Sequence, residues 1–265
     1  MPLSKRIVYL RDFAGEAIKL EKTWGRTSMY TTGDKGLDNY LGGGYGRQDG
    51  YEIVLLYGDT GIGKSTIGLN LLKSPIEFGK KVGLLVLEDD GADVFLRLRD
   101  ILGTSGMEKY VMQGDSIHFM PQEDLVKSWN LEDLLALIEE WFTDRELDVI
   151  FLDHLQFAFE GAESIKGENE YTSQRIFMQK LNQLMKRIKK TIILVSHINK
   201  AIGIKGMGKI VGSGAIAQAA TKVIEVSDSD MDFCVEIYMR KSRFTPKKNH
   251  NFVMKLKDGQ LRSAA

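Results

Sequence analysis

The amino-acid sequence predicts an α/β protein: a mainly parallel sheet with helices on both faces and antiparallel strands at its C-terminal edge. Three observations lead there. The runs EIVLLYG, KVGLLVLE, DVIFLD and TIILVSH are apolar almost throughout rather than alternating, as strands buried on both faces are. Between them lie segments with apolar residues at helical spacing, LEDLLALIEEWF and SQRIFMQKLNQLMKRIKK being the clearest. The tail then changes character, to short strands separated by turn signals such as DGQ, which suit antiparallel pairing.

In chain order, residues 1–27 read as an N-terminal arm with a helical lead over about 5–25 (Ile7, Leu10, Phe13, Ile18, Leu20), and 28–265 as one domain. Ser28 to Gly50 is Gly-rich, and LGGGYGRQDG reads as a loop. EIVLLYG is then a buried strand, followed by a helix from about Ser65 to Glu77. KVGLLVLE is a strand, VFLRLRDIL a helix and DSIHFM a short strand. A helix, DVIFLD, a long amphipathic helix and TIILVSH follow, and TKVIEV, DFCVEIYMR, HNFVMKLK and QLRS are assigned to the antiparallel edge. Lys+Arg and Asp+Glu both total 36, so bulk charge does not bind this chain to nucleic acid, although a local basic loop repeated around an oligomer would. The single Cys234 excludes an intrachain disulfide framework and suits a reducing compartment. No apolar run approaches the ~20 residues that span a bilayer, and no signal-peptide core is present. A cytoplasmic or nucleoid location without membrane attachment is expected.

GDTGIGKS matches G-x-x-x-x-G-K-[ST] in full, after a buried strand and opening a helix. Gly58, Asp59, Thr60, Gly61, Ile62, Gly63, Lys64, Ser65 and Thr66 are therefore the expected binding segment for ATP or another nucleoside triphosphate. Lys64 would reach the β- and γ-phosphates and Ser65 would hold Mg²⁺; Thr66 has no separate role. Asp153, ending DVIFLD, is the expected metal-side carboxylate. Glu88, ending VGLLVLE, is a candidate to orient and deprotonate water, with Asp89 and Asp90 as rivals. His197 ends TIILVSH at the same edge of the sheet, where it would hydrogen-bond a γ-phosphate; a lone His there is otherwise structural.

Taken in order, TTGDKGLDNYLGGG, GDTGIGKST, LVLED, DVIFLDHLQF, ILVSHINK, VGSGAIAQAATKVIEV and RKSRFTP resemble the RecA-like motor of DnaB-type hexameric replicative helicases, in the branch of phage primase-helicases and Twinkle. The resemblance runs from about Thr31 to Pro246. It implies a RecA-like P-loop NTPase core in 28–265, and a ring, hexameric in the family, that hydrolyses ATP to move 5′ to 3′ on single-stranded DNA. It also implies that Glu88 is the catalytic glutamate, His197 the phosphate sensor, and Lys241 and Arg243 a basic pair reaching a neighbour's γ-phosphate. Without it, that pair reads as a basic edge strand.

The span Asn199 to Val211 carries Lys200, Lys205 and Lys209 with Gly203, Gly206 and Gly208 and no acidic residue. In the family this loop grips the backbone of single-stranded DNA; a flexible surface excursion is the alternative. Phe157 to Tyr171, net acidic, has a weaker claim. Two departures stand out. The primase or helical collar domain that precedes the family's motor has no counterpart here, leaving primase or loader proteins as separate partners and the arm as an inter-subunit linker. SDSD follows VIEV where several relatives place a base-holding arginine. Alternative functions for this pattern are a RecA-like recombination or repair ATPase forming filaments on DNA, and a clock- or signalling-type ATPase of the same fold.

Overall fold

The computed structural model of this chain describes residues 28–47, 50–112, 114–121, 130–160, 170–197, 214–243, 245 and 250–264. The expected arm and the loop carrying Lys200, Lys205, Gly206, Gly208 and Lys209 lie outside those residues.

The stretch read as a loop contains structure. A two-stranded antiparallel ribbon pairs β1 (Ser28–Tyr30) with β2 (Tyr45–Arg47), and α1 (Lys35–Leu41) lies between them. Asp34 caps α1 by accepting from Leu37 N, and Gly42, at φ 82°, ends it in the left-handed region that glycine adopts without strain. Tyr30, Tyr40, Leu41 and Tyr45 are buried, so the glycines separate packed elements rather than marking one open loop.

The main sheet has nine strands in the order β11-β10-β9-β8-β3-β7-β6-β4-β5 among the described residues. Here β3 is Glu52–Gly58, β4 Val82–Val86, β5 Ile117–Pro121, β6 Val149–Asp153, β7 Thr191–His197 and β8 Lys222–Asp228. The remaining strands are β9 (Cys234–Ser242), β10 (Phe252–Lys257) and β11 (Gln260–Ser263). Strands β8 to β5 in that order are parallel, and β9, β10 and β11 are antiparallel. TKVIEV, assigned to the antiparallel edge, is thus parallel: the chain between β7 and β8 crosses over through α7 (Gly214–Ala219), as parallel pairing requires.

The helices α2 (Lys64–Glu77), α3 (Gly91–Met107), α4 (Leu131–Thr143), α5 (Leu155–Glu160) and α6 (Glu170–Ile188) cover the sheet. Each parallel strand alternates side chains between two separate cores. Val54 and Leu56 of β3 pack on one face, with Ile67, Leu71 and Phe151; Ile53, Leu55 and Tyr57 pack on the other, with Ile138, Phe177 and Leu181. That double burial is why the sequence runs are apolar rather than alternating. Helix α3 is longer than VFLRLRDIL and is broken at Gly103 (φ 72°, ψ 170°). Among the described residues, no helix is long and apolar enough to cross a membrane.

The tail strand β9 departs from simple alternation. Met239 pairs with Ile224, but Val223 pairs with Lys241, so Arg240 is an extra residue in a β-bulge. Met239 packs with Ile224 in the first core. Lys241 is turned to the opposite face, where Val223 and α7 lie.

Candidate active site

The adjacent strands β3, β7, β6 and β4 all end at one edge of the sheet, where they gather the candidate residues. Gly58 is level with His197 across β3 and β7, and Val86 with Asp153 across β4 and β6. The P-loop leaves β3 through Gly61 (φ 80°) and Gly63 (φ 91°), both in the left-handed region. Lys64 is the first residue of α2; its buried Nζ donates to Asp59 O at 2.6 Å and lies 3.4 Å from His197 Nδ1. Thr60 Oγ1 lies 3.3 Å from the same nitrogen. Burial depresses the Lys64 pKa, while Asp153, Glu88 and Asp59 oppose that shift.

Asp153 is buried and hydrogen-bonded to the Ser65 side chain, yet its Oδ1 has no hydrogen-bond partner among the described residues. Burial pushes its pKa up to about 6; Ser65 and Lys64 oppose the rise, and Asp89 and Glu88 add to it. A hydroxyl and an orphaned buried carboxylate oxygen beside a phosphate-loop lysine are a donor set that fits Mg²⁺, a hard cation that prefers oxygen.

Glu88 does not end its strand: β4 stops at Val86, Leu87 N donates to Asp153 O at 2.6 Å, and Glu88 lies in the bend beyond. The structure also separates the three neighbouring carboxylates. Asp89 pairs with Arg97 at 2.7 Å, and Asp90 caps α3 by accepting from Asp93 N. Glu88 instead faces His154, with Oε2 3.3 Å from His154 Nε2.

His154 and Gln156, both within the LDHLQ motif, were not singled out from the sequence. The His154 ring packs edge-on against His197, centroids 4.2 Å apart. Gln156 Oε1 accepts from His197 N, and Gln156 Nε2 donates to Ser196 Oγ. The signal was legible only as a polar pair directly after a strand-ending Asp; nothing in their spacing says what they face.

Lys241 and Arg243 are elsewhere. Lys241 Nζ donates to Ala217 O and Gln218 O, and Arg243 Nη2 donates to Gln218 O, all at the C-terminal end of α7. Arg243 lies just past the end of β9, and its N–H bonds Thr221 O, whose own N–H bonds Ile53 O. Its backbone is therefore level with Ile53, five residues before Gly58, which is ~17 Å along the strand. Burial, then the Arg243 charge, lowers the Lys241 pKa to about 8. Beside the pair, a groove of about 630 Å³ between α6 and α7 is lined by Arg175, Lys186 and Arg243 with amide side chains and no carboxylate.

The turn containing SDSD borders the P-loop. Asp228, Ser229, Met231 and Phe233 line a cavity of about 360 Å³ with Gly61, Ile62 and Gly63, and Phe233 is 75% exposed. Behind that turn, Tyr57, Glu225 and Arg240 form a hydrogen-bonded row across β3, β8 and β9.

A phosphate loop at the head of a parallel sheet, with a carboxylate and a polar residue on neighbouring strand ends, defines a P-loop ATPase of RecA-like fold. The AAA domain family matches residues 46–202, more than half of the chain, and the chain belongs to that family. Among solved structures it is similar to the ATPase domain of a DnaB-like helicase, with a TM-score of 0.73 at 14% identity over 96% of this chain and 98% of that one. It is also similar to the KaiC-like protein PH0186 from the hyperthermophilic archaeon Pyrococcus horikoshii OT3, with a TM-score of 0.64 at 20% identity over 89% and 98%. Comparison with curated protein sequences gives no match. At these identities the structural likeness concerns the fold alone.

Proposed function

We propose that this chain is an ATP-driven DNA helicase motor that assembles into a ring and hydrolyses ATP at subunit interfaces to translocate on single-stranded DNA. Lys64 and the P-loop N–H groups bind the triphosphate. Ser65 and Asp153 would hold Mg²⁺, which when bound neutralises charge on the phosphates. Glu88 orients the attacking water and accepts its proton, and His197, beside Lys64 and Thr60, hydrogen-bonds the γ-phosphate.

One observation carries the reading. The edge that holds Lys64, Glu88, Asp153 and His197 is out of reach of its own Arg243, which lies ~17 Å down the sheet from Gly58. The groove beside Arg243, with Arg175 and Lys186, presents cations outward. A cation that cannot serve its own site fits a neighbour's, where a guanidinium supplied in trans raises phosphoryl-transfer rates by ~10³–10⁵. The similarity to the ATPase domain of a DnaB-like helicase, nearly end to end in both chains, supports a motor of this kind. The DNA grip is assigned to Lys200, Lys205 and Lys209, with Gly206 and Gly208 letting the backbone approach phosphates.

The test is unwinding of forked duplexes with 5′ or 3′ tails, with particle images from the same sample. Closed rings and ATP-dependent unwinding with a 5′ tail are expected. Open filaments without strand separation would favour a recombination ATPase. The KaiC-like similarity favours a second reading, an ATPase of the same fold that binds protein; hydrolysis indifferent to DNA would select it.

A further inference from the structure

We infer that His154 is a positioning residue that holds the Glu88 carboxylate in place for water activation. The inference rests on the hydrolytic reading above, with Glu88 as the base. Glu88 sits in a bend, 46% exposed, with no strand ladder to fix it. A glutamate so placed samples several rotamers unless something holds its carboxylate, and general-base catalysis needs that carboxylate within ~3 Å of the attacking water. Asp89 and Asp90 need no such help, being tied to Arg97 and to the start of α3.

His154 is built to supply the constraint. Its side chain is 6% exposed, and its ring is wedged between Phe157 (centroids 5.2 Å) and His197 (4.2 Å). The Phe157 N–H donates to Nδ1 at 3.3 Å, which uses that nitrogen's lone pair. In the neutral ring the proton then resides on Nε2, the atom 3.3 Å from Glu88 Oε2. Burial, with His197 and Lys64, lowers the ring's pKa to about 4, consistent with a neutral donor.

Glu88, His154 and His197 also lie close enough for one metal ion, their ligand atoms within 4.8 Å of one another. A metal on Nε2 would displace the proton that the Phe157 contact places there. The tautomer favours donation to the carboxylate. Because His154 touches both Glu88 and His197, it would also link the base to the group that contacts the γ-phosphate.

The test compares steady-state ATP hydrolysis by the full chain with single-stranded DNA present, for wild type, His154→Phe, His154→Asn, Glu88→Ala and the doubles with Glu88→Ala. His154→Phe is expected to lower kcat about tenfold with KM for ATP within twofold, and His154→Asn, which retains an N–H donor, to recover part of that loss. In the Glu88→Ala background, either His154 change should alter the residual single-turnover rate less than twofold, since the group being positioned is gone. An equal loss in both backgrounds would mean that His154 acts through folding, and kcat within twofold of wild type for both single variants would also overturn the inference. Should His154→Phe fail to fold, the same comparison between His154→Asn and its double decides. If Glu88→Ala itself keeps wild-type activity, the hydrolytic reading fails instead.

Discussion

Arg243→Ala should abolish hydrolysis without unfolding the chain, and a mixing experiment should restore part of it. The Arg243 side chain holds the fold through a 2.9 Å bond to Gln218 O at an exposed site, so truncation costs stability at most about 1 kcal/mol. The expected loss in rate is ~10³-fold or more, the range of an arginine supplied in trans. Mixing the two variants gives a definite number. Lys64→Ala subunits keep the cation but lose the cradle, and Arg243→Ala subunits do the reverse. In a ring of head-to-tail interfaces mixed one to one, roughly a quarter of interfaces pair an intact cradle with an intact neighbouring Arg243. If sites fire independently, the mixture should hydrolyse ATP at about a quarter of the wild-type rate, from two nearly inactive parents. Phosphate release, measured after co-refolding or prolonged exchange and checked for mixed rings by mass, is the assay. A mixed ring no faster than its parents, or an assembled Arg243→Ala ring at wild-type rate, refutes the trans assignment.

Two further predictions concern the site and the sheet beneath it. Asp153 has a folded-state pKa raised to about 6, so between its ordinary value and 6 the folded state binds more protons and gains stability as pH falls. With EDTA and no nucleotide, Asp153→Asn should therefore melt higher than wild type at pH 8, by up to ~3 kcal/mol, with the gap shrinking as pH falls through 6; a constant gap would refute the burial argument. Gly83→Ala in β4 would place a Cβ 2.6 Å from Trp141 Cε3 and 2.7 Å from Leu147 Cδ1, both buried, and should cost about 1–3 kcal/mol, a Tm fall of roughly 3–10 °C by calorimetry.

The parallel core was legible because burial on both faces writes itself into composition: EIVLLYG and TIILVSH leave no solvent face for a polar residue. The P-loop was legible because its chemistry demands particular residues at fixed spacing. The ribbon and α1 were not, since two strands of three residues and a two-turn helix among glycines carry little periodicity, although Asp34 and Gly42 are ordinary helix stop signals in retrospect. The direction of β8 depends on its crossover, which a strand's own residues do not encode. Glu88 could not be separated from Asp89 and Asp90 by sequence because their partners, His154 and Arg97, come from another strand end and from α3. The bulge at Arg240 was invisible for a related reason: only the partner strand reveals that one residue is surplus.

That surplus residue makes chain length, rather than residue type, the determinant of where the basic pair points. Removing Arg240 would restore unbroken alternation with β8 and turn Lys241 onto the Met239 face, toward the core, with no other letter of RKSRFTP altered. Among relatives, a gap or insertion of one position in this strand would therefore outweigh an exchange of lysine for arginine. An alignment that slides across it would preserve every basic residue while losing the direction in which they act.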